Sequence, residues 1–261
     1  MLRPTEGFEM PELGGETDIA QLFPPGAFGV FALSGNTLVG LARIFSDTVA
    51  TAWLAELCVA PGWRDRGIED RLLNQVNDRF HGTALYSSAS VETVELFKAA
   101  GVRPKVKLIA CHRPPGRPAA ELDGIPNIVI HDDATRHQAT DYDDVVDSAF
   151  GISDTGTDDM TYLRRFGEGI SGFFAETMAG RLVGVVHIFS DDLTKSYIAE
   201  ICVHPEFQRR GIGRALLGRT VARFSHTAIW AESFPETIPV LGICGIIPDP
   251  RFVGCSRAPL E

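Results

Sequence analysis

Cysteine is scarce and poorly spaced for chemistry: there are five in 261 residues, at positions 58, 111, 202, 244 and 255. An odd number with no Cys-x-x-Cys pair excludes the common thiolate zinc and redox frameworks, so the thiols are expected to be reduced and structural, and no metal is expected. Positive charge is also short, with 24 Lys and Arg against 34 Asp and Glu and a formal net charge of −10. Nucleic-acid binding requires a basic surface, which excludes that class of partner. No apolar run reaches the ~18–20 residues of a membrane helix. The residues after Met1 lead into acids rather than an apolar signal core. A cytoplasmic chain without a membrane partner is the expectation. What is present, 44% hydrophobic and 22% charged residues, is the composition of a packed protein. Its length exceeds the usual single-domain size of roughly 100–150 residues, which predicts two compact units.

The dominant feature is a self-similarity at one fixed offset. Leu38-Val39-Gly40 recurs as Leu182-Val183-Gly184, Ile44-Phe45-Ser46-Asp47 as Ile188-Phe189-Ser190-Asp191, and Arg66-Gly67-Ile68 as Arg210-Gly211-Ile212, always 144 residues apart. Residues 38–113 set against 182–257 without a gap give 27 identities in 76 positions. A period so much longer than a solenoid unit means a duplicated domain, each copy with its own core. The proline-rich stretch Arg113-Pro114-Pro115-Gly116-Arg117-Pro118, continuing to Pro126, can extend neither helix nor central strand and reads as the linker. The predicted division is 1–113, a linker over 114–127, and 128–261, with the first copy shortened at its N-terminal end.

Periodicity predicts an α/β fold. Strands are expected at 28–33, 37–46, 51–59, 84–87 and 106–111 in the first copy and at 128–131, 172–178, 181–190, 196–203, 228–231 and 251–256 in the second. Helices are expected at 67–80, 91–100, 139–150, 159–167, 211–224 and 235–243.

Chemistry concentrates where the strand ending at Val203 meets Pro205 and the turn Gln208-Arg209-Arg210-Gly211-Ile212-Gly213-Arg214 opens a helix. The first turn of a helix carries unpaired N–H groups and the positive end of the dipole, and glycine lets an anion approach the backbone. A pyrophosphate with a long arm suits such a turn. With Val203 and Pro205 before it, Q-R-R-G-I-G at 208–213 resembles the signature of the GCN5-related N-acetyltransferase (GNAT) family, Gln/Arg-x-x-Gly-x-Gly/Ala. The resemblance covers 128–257 in full and 28–113 in part. It implies a tandem GNAT fold of two mixed β-sheets, each flanked by helices, with acetyl-CoA or another acyl-CoA as co-substrate. The pyrophosphate would meet Gln208, Arg209, Arg210, Gly211, Ile212, Gly213 and Arg214, and the pantetheine arm the backbone of Ile201, Cys202 and Val203. The first copy reads Arg64-Asp65-Arg66-Gly67-Ile68-Glu69-Asp70 at this place. Carboxylates there repel phosphate, so the first copy is expected to be a degenerate scaffold that binds no CoA.

Acyl transfer to an amine needs a base, because an alkylamine of pKa ~10.4 is almost wholly ionised at neutral pH. The family usually supplies it from the strand before the phosphate turn, which makes Glu200 and Tyr197 candidates. Glu56 stands at Glu200's position in the first copy, which equally fits a structural role. Glu232, opposite Ser88 in the repeat, is a third candidate because the copies differ there. The family's usual acid, a tyrosine four residues before the glycine ending the last helix, is replaced by Leu241. Nine aspartates between Asp132 and Asp159 against the single base Arg136 suggest a small, cationic amine acceptor, or a solvated acidic face. The expected activity is an N-acetyltransferase, with a non-catalytic acyl-CoA-binding or scaffolding module as the alternative. The first copy lacks an evident first strand, so an exposed sheet edge there is expected to pair with the second copy or with another subunit in a homodimer.

Overall fold

A computed structural model describes residues 20–118, 124–152 and 156–260. The first half runs β1 (Ala27–Ser34), β2 (Thr37–Ser46), β3 (Thr51–Val59), α1 (Ile68–Arg79), β4 (Ala84–Ser90), α2 (Val94–Ala99), β5 (Arg103–Pro104) and β6 (Ile109–Arg113). The second runs β7 (Ile128–His131), α3 (Ala139–Phe150), α4 (Asp159–Arg165), β8 (Ile170–Thr177), β9 (Leu182–Ser190), β10 (Lys195–Val203), α5 (Ile212–Phe224), β11 (Ala228–Ser233), α6 (Ile238–Ile243), β12 (Ile247–Pro248) and β13 (Phe252–Arg257). The predicted α/β architecture of two mixed sheets flanked by helices is what the chain adopts.

The repeated Ser-Asp explains the β2–β3 and β9–β10 turns. Asp47 Oδ1 accepts the amides of Val49, Ala50 and Thr51, and Asp191 Oδ1 those of Leu193, Thr194 and Lys195. One buried carboxylate thus satisfies three turn amides in each half. The repeated Leu-Val-Gly seats a helix on a strand: a β-carbon on Gly40 or Gly184 would come within 3.0 Å of Ile68 or Ile212, respectively. In the second half, α3 and α4 add a layer on the opposite face, where Tyr142, Val145 and Tyr162 pack with Phe174, Val185 and Cys202.

The sheets do not follow the division of the chain. The first is ordered β1-β2-β3-β4-β13-β5 and the second β12-β6-β11-β10-β9-β8-β7. β6 leaves the first half to pair antiparallel with β11, Arg113 opposite Ile229, while β13 returns to pair with β4, Arg257 opposite Leu85. Both exchanges use equivalent repeat positions, so the molecule is a pseudo-twofold intramolecular swap. Of the two strands that cross between sheets, β6 stands just before the expected linker and β13 at the far end of the second repeat.

The seam between the halves is built from equivalent positions facing one another. Trp53 stacks on Tyr197 with centroids 4.6 Å apart and planes 2° from parallel, flanked by Phe45, Phe189 and Trp230. Aromatic side chains bury roughly 150–250 Å² each, or about 4–6 kcal/mol at ~25 cal/mol per Å² before ordering entropy, so the seam is a core rather than a hinge. Charges cross it as well, on the equivalent Asp47 and Asp191 but from non-equivalent bases: Arg43 contacts Asp191 at 2.5 Å, Arg165 contacts Asp47 at 3.3 Å, and Lys195 contacts Glu56 at 2.9 Å. Burial would raise the pKa of Asp191, but the charge of Arg43 and hydrogen bonds from Thr194 and Lys195 hold it below its ordinary value. Among the described residues no helix is long and apolar enough to cross a membrane.

Candidate active site

The sequence Val203-His204-Pro205 ends β10 because proline has no amide to continue the ladder. A short 3₁₀ turn over Pro205–Phe207 follows, then Arg209 and Gly211 at φ +60° and +89°. Gly211 is the N-cap of α5 and offers no side chain, and no side chain of the described residues caps that first turn. The first closed helical bond here runs from the Ala215 amide to the Gly211 carbonyl, so the amides of Ile212, Gly213 and Arg214 precede the ladder. A β-carbon on Gly213 would meet only Val203 Cγ2, at 3.7 Å, so the space in front of this turn is open. Gln208, Arg209, Arg210, Gly211 and Arg214 are exposed, Gly213 is half-buried and Ile212 is a core residue beneath them.

Beside this mouth the second sheet splays. β10 pairs in parallel with β11 only from Lys195 to Tyr197, and a bulge between Ile198 and Glu200 turns the strand away. Ile201, Cys202 and Val203 pair with β9 on one edge, and no ladder to β11 closes the other. The Val203 carbonyl accepts Gln208 Nε2 at 3.0 Å, which ties the signature glutamine to the strand end. Cys202 is buried under α3, and burial pushes its thiol up.

The first half repeats the turn with the opposite electrostatics. Asp65 and Gly67 occupy the same left-handed positions, at φ +60° and +71°, but Glu69 and Asp70 stand in the first turn of α1. Residues 208–214 carry three arginines and no acid, a charge of +3; residues 64–70 carry two arginines and three acids, 2 − 3 = −1. Negative side chains stabilise a helix N-terminus by about 0.3–1 kcal/mol and occupy the electrostatic role an anion would take.

The three acid–base candidates separate into two places. Glu200 faces the helical layer: its Oε1 accepts the Tyr142 hydroxyl at 2.7 Å and its Oε2 the Arg165 guanidinium at 3.1 Å. Burial, then the Glu200 charge, pushes the Tyr142 hydroxyl well above its usual range. Beneath them His187 is fully buried; its Nε2 lies 2.7 Å from the Arg165 carbonyl, and burial beside the guanidinium pulls its pKa down. Tyr197 and Glu232 instead lie together in the seam. Glu232 Oε1 accepts the Ser88 hydroxyl, while Oε2 is buried facing Trp53 and Tyr197 without a well-formed hydrogen bond. Burial raises its carboxyl pKa, opposed in part by Ser88, Tyr197 and Trp53. Tyr142 and Arg165 were not anticipated; the sequence signal for them was only an apolar helix face interrupted by polar atoms.

The acidic stretch is largely structural. Asp133 and Asp158 cap their own turns, Asp141 accepts the Gln138 amide, Asp143 that of Thr157 and Asp159 that of Ala139. Asp144 pairs with Arg181, and Asp154 lies outside the described residues. Leu241 is buried against α5 in the core.

The profile of the Acetyltransferase (GNAT) family matches twice, over residues 3–101 and 140–239. A GCN5-related N-acetyltransferase from Sphaerobacter thermophilus is similar in structure at TM-score 0.55 and 14% identity, covering 89% of this chain and 81% of its own. A tandem GNAT protein from the clavulanic acid biosynthesis pathway is similar at TM-score 0.52 and 18% identity, covering 92% and 86%. At these identities the likeness speaks to fold alone. No curated protein matches the chain.

Proposed function

The chain belongs to the acetyltransferase (GNAT) family, with two family units in tandem, and from that premise we propose that it is an N-acetyltransferase whose acyl-CoA is held by the second half alone. The observation that carries this reading is the mouth of α5: uncapped, free of acids in its first turn, built on a left-handed glycine and set beside an unpaired strand edge. Acetyl-CoA, when bound, supplies an activated acyl thioester. The amides of residues 209–214 would hold its pyrophosphate, with Arg209, Arg210 and Arg214 adding charge and Gln208 fixing the turn to Val203. The main chain of Ile201 and Cys202 would carry the arm, the Val203 carbonyl being already committed to Gln208. The first half, negative at its own mouth, serves as scaffold.

For the amine, Glu200 is the group we assign to take up the proton, directly or through water. Its carboxylate faces α3 and α4, the layer that walls the acceptor in this family, and Tyr142 and Arg165 orient it. Tyr197 and Glu232 are enclosed between the halves and act in this reading as seam residues. The acceptor is the primary amine of a small molecule. Because most aspartates of 132–159 are spent on caps, selection for a cation rests on few of them. A second reading, an acyl-CoA-binding module without turnover, is favoured by Leu241, an apolar core residue where the family places its tyrosine acid. Release of CoA thiol from acetyl-CoA across a panel of amines tests the choice. Turnover with any amine supports the transferase, whereas tight CoA binding without turnover on all of them supports the module.

A further inference from the structure

At the outer edge of the second sheet, away from the acyl-CoA mouth, three metal-binding side chains converge. His131 ends β7, Glu176 lies on β8, and His137 follows the turn at 134–136 that leads into α3. The antiparallel register sets Val129 opposite Glu176 and His131 opposite Phe174, so His131 and Glu176 share a face. The turn, closed by Asp133 accepting the Thr135 amide, brings His137 back over them.

The donor atoms form a nearly regular triangle: His131 Nε2 to His137 Nε2 3.2 Å, His131 Nε2 to Glu176 Oε2 3.4 Å, and His137 Nε2 to Glu176 Oε2 3.6 Å. Direct imidazole–carboxylate hydrogen bonds would close to about 2.7–2.9 Å. A four-coordinate ion with bonds of ~2.0–2.1 Å separates its ligands by about 3.3–3.4 Å, the tetrahedral edge, which is the spacing found here. The side chains of His131, His137 and Glu176 are only 11%, 2% and 7% exposed. Phe174 lies against both imidazoles, with centroids 5.7 and 5.8 Å away, and fixes their planes. Arg136 binds the other carboxylate oxygen, Oε1, leaving Oε2 for the centre, in the manner of an outer-shell partner that orients a ligand.

We propose that His131, His137 and Glu176 form a site for a divalent transition metal of the zinc class, with two imidazoles and one carboxylate as ligands and a fourth position left for solvent. This departs from the metal-free expectation, which rested on cysteine spacing alone. The competing arrangement is a metal-free one in which the Asp133 amide, 3.3 Å from His131 Nδ1, donates to that nitrogen and the Nε2 proton faces His137. The site is independent of the transferase reading.

The test uses untagged full-length protein stripped of metal by chelator and dialysis. Zinc titration against a chromogenic chelator should give one equivalent bound per chain, and Co²⁺ should give the intense visible bands of four-coordinate cobalt. Zinc at a hundredfold excess over Kd should raise Tm by about 5 °C or more. His131→Gln, at the least buried imidazole, should weaken zinc by more than about 100-fold, beyond the 10–100-fold that outer-shell changes cost. Absence of stoichiometric zinc and cobalt binding by the wild-type chain would overturn the proposal, whatever the variant does. So would binding that H131Q, checked for native circular dichroism, leaves unchanged.

Discussion

Replacing Gly213 by glutamate imposes the first half's Glu69 on the second half's helix mouth. Space does not oppose the change, since the nearest atom to a β-carbon is Val203 Cγ2 at 3.7 Å and the backbone there is not left-handed. Exchanging glycine for glutamate in a helix gains roughly 0.5–1 kcal/mol from propensity, and an acid in the first turn adds about 0.3–1 kcal/mol. G213E should therefore melt a few degrees above wild type. Against a phosphate about 4 Å away at an effective dielectric near 20, the new charge repels by roughly 4 kcal/mol, on the order of a thousandfold in Kd. Calorimetry with CoA on wild type, G213A and G213E separates the effects, because alanine gives the propensity gain without the charge. A G213E protein that is stabilised and has lost CoA binding is the expected result. One that binds CoA within about threefold of wild type refutes the electrostatic reasoning.

Glu200→Gln keeps the shape of the Tyr142 and Arg165 contacts but cannot take a proton, so kcat should fall by about 100-fold or more with KM for acetyl-CoA near wild type; a kcat within about threefold of wild type would make Glu200 structural. Trp53→Ala removes the stacking partner of Tyr197 from the seam and should cost about 3–5 kcal/mol, or about 10 °C or more in Tm; a loss below 1 kcal/mol would mean the halves do not depend on the seam. Glu232 carries a carboxyl pKa raised by burial, so its folded form keeps the proton above the ordinary carboxyl pKa of about 4.3. Stability from this group is full below that value and falls as pH rises through the folded pKa. Urea unfolding of Glu232→Gln should match wild type near pH 4 and exceed it at pH 8, and identical slopes with pH would contradict the assignment.

The repeat, the helix-opening glycines and nearly every element were legible because each rests on local physics: alternation, a proline stop, a glycine turn. Strands 37–46, 51–59 and 128–131 and the helix over 139–150 have the predicted bounds. β6 begins at Ile109 rather than 106, because Leu108 closes a turn back onto Lys105. The crossing of β6 and β13 was not legible: the two strands share one pattern, and either sheet buries the same side chains. Glu232 shows why comparing the copies has a limit. On a pseudo-twofold seam, equivalent positions meet, and Glu232 accepts the hydroxyl of Ser88, its own counterpart in the repeat. Two carboxylates there would repel, so asymmetry is required by packing whether or not chemistry uses it. The histidine and glutamate cluster stayed hidden because Glu176 is 176 − 131 = 45 residues from His131 and only strand register unites them, with the turn at 134–136 folding His137 onto the pair.

The most direct measurement is difference density from crystals soaked with CoA. The nucleotide should lie against the main chain of residues 208–214, one molecule per chain, with the turn at 64–70 free of it. Density at the earlier turn, or at both, would contradict the assignment of the cofactor to the second half.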